Sequence, residues 1–258
     1  MENSSLPYFD ENTYVQFPPV DRANEYGIVA AEGNLSPGML LSAYRQGIFP
    51  WYDEDNPILW WSPDPRFVLF PSQLHISKTM RKTLRRGDFS VTVDTDFSSV
   101  IRSCAEIPRR HESGTWILDE MQEGYKRLHS LGYAHSVEVW KETSGDEGRG
   151  KEPVGGLYGV SLGSIFFGES MFSRVSNASK TGFILLAAAL HEHGFTCIDC
   201  QVYTDHLSRL GAQEIPREEY MDLLSRALTK ETVRGSWNTW LDLEELRRRR
   251  FGSGSKGG

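Results

Sequence analysis

The stretch FFGESMFSRVSNASKT, residues 166–181, begins as an apolar strand and then becomes polar. Its apolar half contains Glu169, and burying a carboxylate is costly unless the charge is paired or used by a ligand. Glu169 is therefore expected either to have a hidden cationic partner or to face a cleft. The polar half leads into a helix predicted over residues 177–193, so the stretch predicts a strand followed directly by a helix.

The segments around this stretch predict strands and helices in a mixed order. A first helix has Ser36 as its N-cap and Pro37 at its first position, and Gly47 ends it. The order β-α-α-β-β-β-α-β-α favours an α+β or mixed α/β sheet over a strictly alternating doubly wound fold. Predicted strands cover residues 89–94, 135–140, 154–163, 164–173 and 195–203, and further predicted helices cover residues 77–87, 96–105, 118–131 and 217–229.

Composition and charge restrict the class of protein. The chain has 258 residues, of which 39% are hydrophobic and 24% charged, as in a soluble globular protein. No apolar run is long enough to span a membrane, and the acidic N-terminus lacks the features of a signal peptide. Three cysteines are too few for a disulfide framework, so we expect a cytoplasmic protein. The net charge of −7 argues against nonspecific nucleic-acid binding by the whole surface.

Positive charge is nevertheless concentrated in the helix predicted over residues 77–87. Lys78, Arg81, Lys82 and Arg85 recur at helical spacing and share one face. A solvated helix face is the simple explanation. We favour a contact with a nucleic-acid backbone, because the rest of the protein is acidic and phosphate contacts require clustered cations.

Two polar segments and one aromatic segment complete the chain. Residues 141–153 are typical of a flexible hairpin tip, and the Arg-rich tail is predicted to be disordered at its end. Residues 47–66 contain four prolines and three tryptophans, which regular secondary structure would not tolerate. This aromatic segment is either a ligand-binding wall or a domain junction.

The stretch TCIDCQVY, residues 196–203, carries the second set of polar groups. Strand alternation places Asp199 and Gln201 on one face, where the carboxylate could orient the Gln201 side-chain amide. Phe167, Glu169 and Met171 would share one face of the neighbouring strand. Two strands could thus converge on a polar floor between apolar walls, which is the composition of a small-ligand pocket.

Metal and nucleotide motifs are weak or absent in the sequence. Cys197 and Cys200 form C-x-x-C, but residues three apart on a strand point to opposite faces, so we expect no metal site. No Walker loop, G-x-S-x-G elbow or G-x-G-x-x-G motif opens a helix.

Several motifs together resemble the bacterial leucyl/phenylalanyl-tRNA–protein transferase family, in order from about Gly33 to Tyr220. They include GNLSPGMLLSAYRQGIFPWY, ILWWSPDPR, LHISKTMRK, GGLYGVSLG, FFGESMFSRVSNASKT and IDCQV. The resemblance implies an α+β protein with a small N-terminal domain, residues 1–64, and a larger GNAT-like acyltransferase domain, residues 65–245. Residues 246–258 would form a disordered tail.

The resemblance also implies a reaction. Leu, and also Phe or Met, would move from aminoacyl-tRNA to the α-amine of proteins with N-terminal Arg or Lys, creating a degradation signal. The donor ester is already activated, so no cofactor, ATP or metal is implied. The partners implied are aminoacyl-tRNA and acceptor proteins, without a membrane, and the protein is expected to be a monomer.

The resemblance assigns roles to individual residues. Asp199 and Gln201 would form the catalytic relay, and Glu169 would meet an ammonium group of the donor or the acceptor. Leu157 stands where a methionine is expected, and the 141–153 insert is longer than expected. The donor side chain would be held by Tyr44, Leu157, Phe167 and Met171, the terminal adenosine by Trp51 and Trp116, and the tRNA backbone by Lys78, Arg81, Lys82 and Arg85.

Two other classes of function remain open. A CoA-dependent N-acyltransferase would share the fold, but the segment SRVSNASKTG lacks the glycines of a pyrophosphate loop. A noncatalytic RNA-binding module would keep the basic helix face but would not need Glu169, Asp199 and Gln201.

Overall fold

Two β-sheets organise the chain in a computed structural model that describes residues 7–107, 117–145 and 148–252. A three-stranded sheet has the order β1-β3-β2, and a seven-stranded sheet has the order β10-β4-β9-β8-β7-β6-β5. The strands are β1 (Ile28–Ala31), β2 (Phe49–Pro50), β3 (Leu59–Trp61), β4 (Arg66–Leu69), β5 (Ser90–Val93), β6 (Ala134–Gly145), β7 (Gly148–Leu162), β8 (Ile165–Ser173), β9 (Cys197–Gln201) and β10 (Gln213–Ile215). The helices are α1 (Pro37–Arg45), α2 (Lys78–Arg86), α3 (Phe97–Glu106), α4 (Asp119–Ser130), α5 (Ala178–Glu192), α6 (Asp205–Ser208), α7 (Arg217–Ala227) and α8 (Leu243–Phe251).

The larger sheet is mixed. Strands β8 and β9 are parallel, with Phe167 opposite Asp199, and the other neighbours are antiparallel. A parallel pair needs a crossover connection, and α5 supplies it, buried along almost its whole length. This confirms the predicted class, a small N-terminal domain followed by a larger domain with a mixed sheet flanked by helices. The boundaries at residues 64 and 245, and the GNAT-like character, stay predictions.

The small sheet packs through its tryptophans. Trp60 is completely buried, lies 4.9 Å from the ring of Phe17, and donates from Nε1 to the carbonyl oxygen of Glu32 at 2.7 Å. Phe49 and Trp60 of the aromatic segment belong to the same core cluster as Phe167 of β8. The aromatic segment therefore joins the small sheet to the large one.

The helix signals in the sequence are confirmed for α1 and α2. Gly47 follows α1 with φ +74°, and Gly87 ends α2 with φ +68°, conformations that glycine adopts without a Cβ penalty. The Ser77 hydroxyl accepts the amide N–H of Met80 at 3.2 Å and caps α2. Met80 and Leu84 are buried on the inner face of α2, which leaves its basic side chains outside.

Three predicted segments differ from the structure. Residues 47–66, predicted to lack regular secondary structure, form the short paired strands β2 and β3. Strands β6 and β7 continue through the 141–153 insert, with Lys141 opposite Glu152, and residues 146–147 lie outside the described residues. Residues 246–251, predicted as disordered tail, are helical in α8, because Leu246 and Phe251 find places in the core. Residues 253–258 lie outside the described part. Within the described part of the chain, no helix is long and apolar enough to cross a bilayer.

Candidate active site

The candidate site lies where two parallel strands separate. Strands β8 and β9 are paired from Ile165, opposite Cys197, to Phe167, opposite Asp199. Beyond these positions both strands continue, but they no longer pair with each other. A cavity of about 580 Å³ is lined by the residues that follow on each strand. The two strands thus part around a cavity large enough for a small ligand.

A β-bulge places Glu169 in this cavity. On strand β7, Gly159 lies opposite Gly168 and Tyr158 opposite Ser170, so Glu169 is the extra residue of the bulge. The prediction that Phe167, Glu169 and Met171 share one face is therefore wrong. Phe167 packs in the core cluster on one side of the sheet, and Met171 packs against the cluster on the other side.

Glu169 is held by neutral hydrogen-bond donors. The Tyr125 hydroxyl donates to Oε2 at 2.8 Å, and Nε2 of Gln201 donates to Oε1 at 2.9 Å. The Tyr44 hydroxyl is hydrogen-bonded to that of Tyr125. Burial and the Glu169 charge raise the pKa of both tyrosines, so both hydroxyls stay protonated.

Burial raises the pKa of Glu169 to about 7, against the lowering effect of its hydrogen bonds. Among the described residues, no cation forms an ion pair with this carboxylate. Of the two explanations offered by the sequence, the cleft is the one the structure supports. Glu169 is only 8% exposed, and the surface it has faces the cavity.

Asp199 has different partners from those predicted. Its carboxylate accepts two hydrogen bonds from Arg66, at 2.9 Å from Nε and 2.7 Å from Nη2. It also accepts the Tyr220 hydroxyl at 2.7 Å and the backbone N–H of Gln201 at 2.9 Å. The predicted bond to the Gln201 side-chain amide is therefore absent, because the Asp199 oxygens are occupied and that amide points to Glu169.

Arg66 is the buried cation of the site. It is fully buried, and its guanidinium lies 4.8 Å from the ring centre of Phe49 and 4.5 Å from that of Tyr220. Burial lowers its pKa, but the Asp199 charge outweighs this and the pKa rises. Its Nη1 also donates to the carbonyl oxygen of Gly47 at 3.2 Å. Arg66 therefore connects the small N-terminal domain to strand β9, which carries Asp199 and Gln201.

Gln201 ends strand β9 in an uncommon backbone conformation. Its φ is +65°, a left-handed conformation that costs about 1–2 kcal/mol for a residue with a Cβ. The bond from its N–H to Asp199 stabilises this conformation. Its Oε1 has no hydrogen bond to another described residue, and the side chain lines the cavity. The carbonyl can therefore accept a donor from a ligand.

The predicted side-chain pocket is divided by the structure. Leu157 and Met171 line the cavity, together with Phe166, Phe172, Phe183 and Ile198. Tyr44 and Phe167 do not line it; they lie fully buried behind Glu169, with ring centres 4.9 Å apart.

The two predicted adenosine-binding tryptophans have different outcomes. Trp51 lines the cavity and lies 5.4 Å from the ring of Trp61, which donates to the Trp51 carbonyl at 2.6 Å. Trp116 lies outside the described residues. A stacking role for Trp51 stays a prediction.

The basic side chains of α2 form a separate surface. Lys78, Arg81, Lys82 and Arg85 are all exposed, and none of them makes an ion pair with a described residue. The neighbouring Arg86 is neutralised by Asp88, whose carboxylate accepts bonds from its Nε at 3.1 Å. Four uncompensated cations therefore remain available on one helix face.

Metal binding finds no support among the described residues, where no group of three or more potential ligands is close enough together. Cys197 and Cys200 are buried as free thiols and belong to different core clusters, so they lie on opposite sides of the sheet.

Three residues of the site were not identified from the sequence: Arg66, Tyr125 and Tyr220. The lone carboxylate of Asp199 in the apolar strand CIDCQ was a signal for a buried cation, and Arg66 is the first residue of the otherwise apolar strand RFVL. Tyr125 lies on the buried face of α4 with Met121 and Leu128. Helical spacing could have placed it in the core, but not against Glu169.

Known proteins are similar to this chain in sequence along nearly its whole length. A family model described as leucyl/phenylalanyl-tRNA protein transferase matches residues 68–225, and the model of its N-terminal domain matches residues 33–64. A leucyl/phenylalanyl-tRNA–protein transferase of Syntrophus aciditrophicus is 56% identical over 234 residues, 91% of this chain and 95% of the relative. The transferase of Pseudomonas fluorescens is 54% identical, over 86% of this chain and 95% of the relative. That of Myxococcus xanthus is 51% identical, over 86% of this chain and 91% of the relative.

Both parts of the fold are covered by these matches, and the identities lie well above the level at which relatives share a family. The chain therefore belongs to the leucyl/phenylalanyl-tRNA–protein transferase family.

Proposed function

We propose that this chain transfers Leu, and also Phe or Met, from aminoacyl-tRNA to the α-amine of proteins that begin with Arg or Lys. The product would carry a new N-terminal residue that acts as a degradation signal in the cytoplasm. One observation carries the proposal in addition to the family relationship: Glu169 and Gln201 are hydrogen-bonded to each other at a largely apolar cavity.

The reaction sets a proton-transfer problem for the enzyme. The acceptor amine is mostly protonated at neutral pH, because α-amino groups have a pKa of about 8. Formation of the amide joins the amine nitrogen to the acyl carbon and breaks the bond from that carbon to the ribose oxygen. The ammonium loses two protons in total. One goes to the departing ribose oxygen, and the other goes to a base and then to water.

Glu169 is suited to be that base. Its pKa of about 7 lies near the working pH, which is where a general base is most effective. The carboxylate first pairs with the incoming ammonium and then takes its proton. Gln201 accepts a second N–H through Oε1 and directs the nitrogen lone pair towards the ester, while its Nε2 stays bound to Glu169.

Asp199 has a positioning role in this proposal instead of the catalytic role predicted from the sequence. Its carboxylate is occupied by Arg66, Tyr220 and the backbone of Gln201. It holds Gln201 in its left-handed conformation and does not itself face the ligand.

The rest of the cavity is assigned to the donor. Leu157 and Met171 contact its side chain, and the apolar lining favours unbranched or γ-branched residues over Val and Ile, which would clash near the backbone. Trp51 stacks on the terminal adenosine, and Trp116 is proposed to do the same. The basic face of α2 contacts acceptor-stem phosphates without reading one tRNA sequence.

Single-turnover transfer of labelled Leu from Leu-tRNA to an Arg-initiated peptide, with enzyme in excess, tests the proposal. We expect labelled product with Arg- and Lys-initiated peptides and none with the same peptide N-acetylated. A matched assay with acetyl-CoA as donor tests the CoA-dependent class. Transfer from acetyl-CoA, or failure to use Leu-tRNA, would contradict the proposal.

A further inference from the structure

One part of the cavity is not used by the proposed chemistry. The first turn of α5 borders the cavity through Ser179. The residue before the helix, Asn177, has φ +71° and makes no side-chain capping bond. Ala178 N–H is bonded to the carbonyl oxygen of Val175 at 3.1 Å, but Asn177 caps none of the amide groups of this 15-residue helix, and the N-terminus of a helix attracts anions.

Ser179 is an unused hydrogen-bonding group in this turn. The residue is 6% exposed and lines the cavity, and its hydroxyl makes no hydrogen bond to another described residue. Its backbone N–H makes only a long bond of 3.4 Å to Oγ of Ser173. The hydroxyl therefore opens onto the cavity, where it is available to a ligand.

His206 of α6 is a second such group. It lines the same cavity, and its Nε2 is buried without a hydrogen-bond partner among the described residues. Two cations lie next to these groups: Lys180 directly follows Ser179 in α5, and Arg209 is the C-cap residue of the helix that contains His206. Burial lowers the pKa of His206, and the charges of both cations lower it further. Neither cation forms an ion pair with a described residue.

These groups share one chemical preference. A hydroxyl, a ring nitrogen, helix N-terminal amides and two cations can all donate to an anion that has several acceptor oxygens. The rest of the chain is acidic, with a net charge of −7, so this cationic rim is not a general surface property. A phosphate fits it better than a carboxylate, because it offers more acceptor oxygens.

We propose that Ser179 and Lys180 in the first turn of α5, together with His206 and Arg209, bind the phosphodiester that precedes the terminal adenosine of the donor tRNA. The inference rests on the proposed function. Trp51 borders the same cavity, and an adenosine placed there must be linked through its 5′-phosphate to a strand that leaves over the rim. Such a contact positions any tRNA end without reading its sequence.

A pair of minimal donors isolates this phosphate. They are 3′-O-leucyl adenosine with and without a 5′-phosphate, each used with an Arg-initiated peptide, and the measured quantity is the ratio of their kcat/KM values. In the wild type we expect the 5′-phosphorylated donor to be favoured by about tenfold or more, the value of one charge-assisted hydrogen bond. Lys180→Met, which keeps the apolar stem, and Ser179→Ala should each reduce this ratio several-fold.

Lys230→Met is the matched control, because Lys230 is exposed, lies outside the cavity lining, and carries the same charge. It should leave the donor ratio at the wild-type value. A ratio near one in the wild type, or a ratio unchanged by both Lys180→Met and Ser179→Ala, would overturn the inference.

Binding without transfer separates this inference from the proposed function. The affinities for adenosine and adenosine 5′-monophosphate are measured by calorimetry on the wild type and on Lys180→Met. If the wild type transfers Leu from neither donor, the proposed function fails. A preference for the monophosphate that Lys180→Met removes would still support the anion site, and equal affinities would contradict it.

Discussion

Nε2 of Gln201 lies 2.9 Å from Oε1 of Glu169, although 32 positions separate these residues in the chain. The bond joins the bulge of β8 to the end of β9 across the gap where the two strands separate. The side-chain amide oxygen of Gln201, Oε1, is thereby directed to the cavity, next to the Glu169 carboxyl group, whose pKa is raised to about 7. The first two predictions test this pair.

Glu169→Gln should lower the single-turnover rate of transfer by roughly 10²–10⁴, the usual range for a positioned proton-transfer group, because the base is removed. Gln201→Ala should lower it by a similar factor, because the amine is no longer held with its lone pair towards the ester. The two residues act as one unit, so the double variant should be scarcely slower than the slower single variant. Rates that multiply in the double variant, or a near wild-type rate for Gln201→Ala, would contradict the proposed pair.

The ionisation of Glu169 should destabilise the fold as the pH rises. Its pKa is raised from 4.5 to about 7, so its stabilising contribution is complete below about pH 4.5 and is lost as the pH rises through 7. Glu169→Gln is always neutral. The free energy of unfolding of Glu169→Gln minus that of the wild type should therefore be larger at pH 8 than at pH 5, by on the order of 3 kcal/mol. Urea denaturation at both pH values measures this difference, and a difference independent of pH would refute it.

Asp199→Asn should destabilise the protein as well as slow it. The buried Arg66 would lose its counter-charge, and breaking one side of a buried pair costs about 3–5 kcal/mol. The control is Arg66→Met combined with Asp199→Asn, which removes both charges and should recover part of the stability. A destabilisation below about 1 kcal/mol for Asp199→Asn in chemical denaturation would mean that the pair is not the structural anchor described.

The basic face of α2 should control tRNA affinity and its dependence on salt. A quadruple variant, with Ala at Lys78, Arg81, Lys82 and Arg85, should bind tRNA more weakly. The slope of the log binding constant against the log salt concentration should become shallower by about one unit for each phosphate that is no longer neutralised. Single variants provide the control. Arg81→Ala should show part of the effect, and Arg86→Ala much less, because Asp88 already neutralises Arg86. If the quadruple variant keeps the wild-type affinity and slope, the face is simply solvated.

Donor selection should depend on the residues that line the cavity. Met171→Ala should weaken the choice of Leu over smaller donors by about 1–3 kcal/mol, because the shortened side chain no longer reaches the donor. Leu157→Met should shift the balance only modestly, because the two side chains have similar volumes. Competition among Leu-, Phe- and Val-tRNA measures both effects. Unaltered ratios for Met171→Ala would place this residue outside the donor pocket.

Much of the secondary structure follows from local patterns in the sequence. Ser77 and Gly87 mark the ends of α2 through interactions within one or two turns, and Ser36 and Gly47 lie at the predicted ends of α1, although the Ser36 hydroxyl makes no capping bond. The same holds for the order of strands and helices that predicted a mixed sheet. The family motifs are also local, and they were sufficient to indicate the class of reaction before any contact was known.

What the sequence by itself determined is therefore the strands β5 to β9, most of the longer helices, the mixed sheet, and the polar residues of two strands that belong to one site. Only the tertiary structure decided how these residues are paired. The bulge at Glu169 reverses the alternation on which the shared face of Phe167 and Met171 depended, although Gly168 is a residue that often marks a bulge. Asp199 meets Arg66 across 133 positions, and Tyr125 meets Glu169 across 44. Such contacts depend on which elements far apart in the sequence pack together, and local periodicity contains no information about that packing.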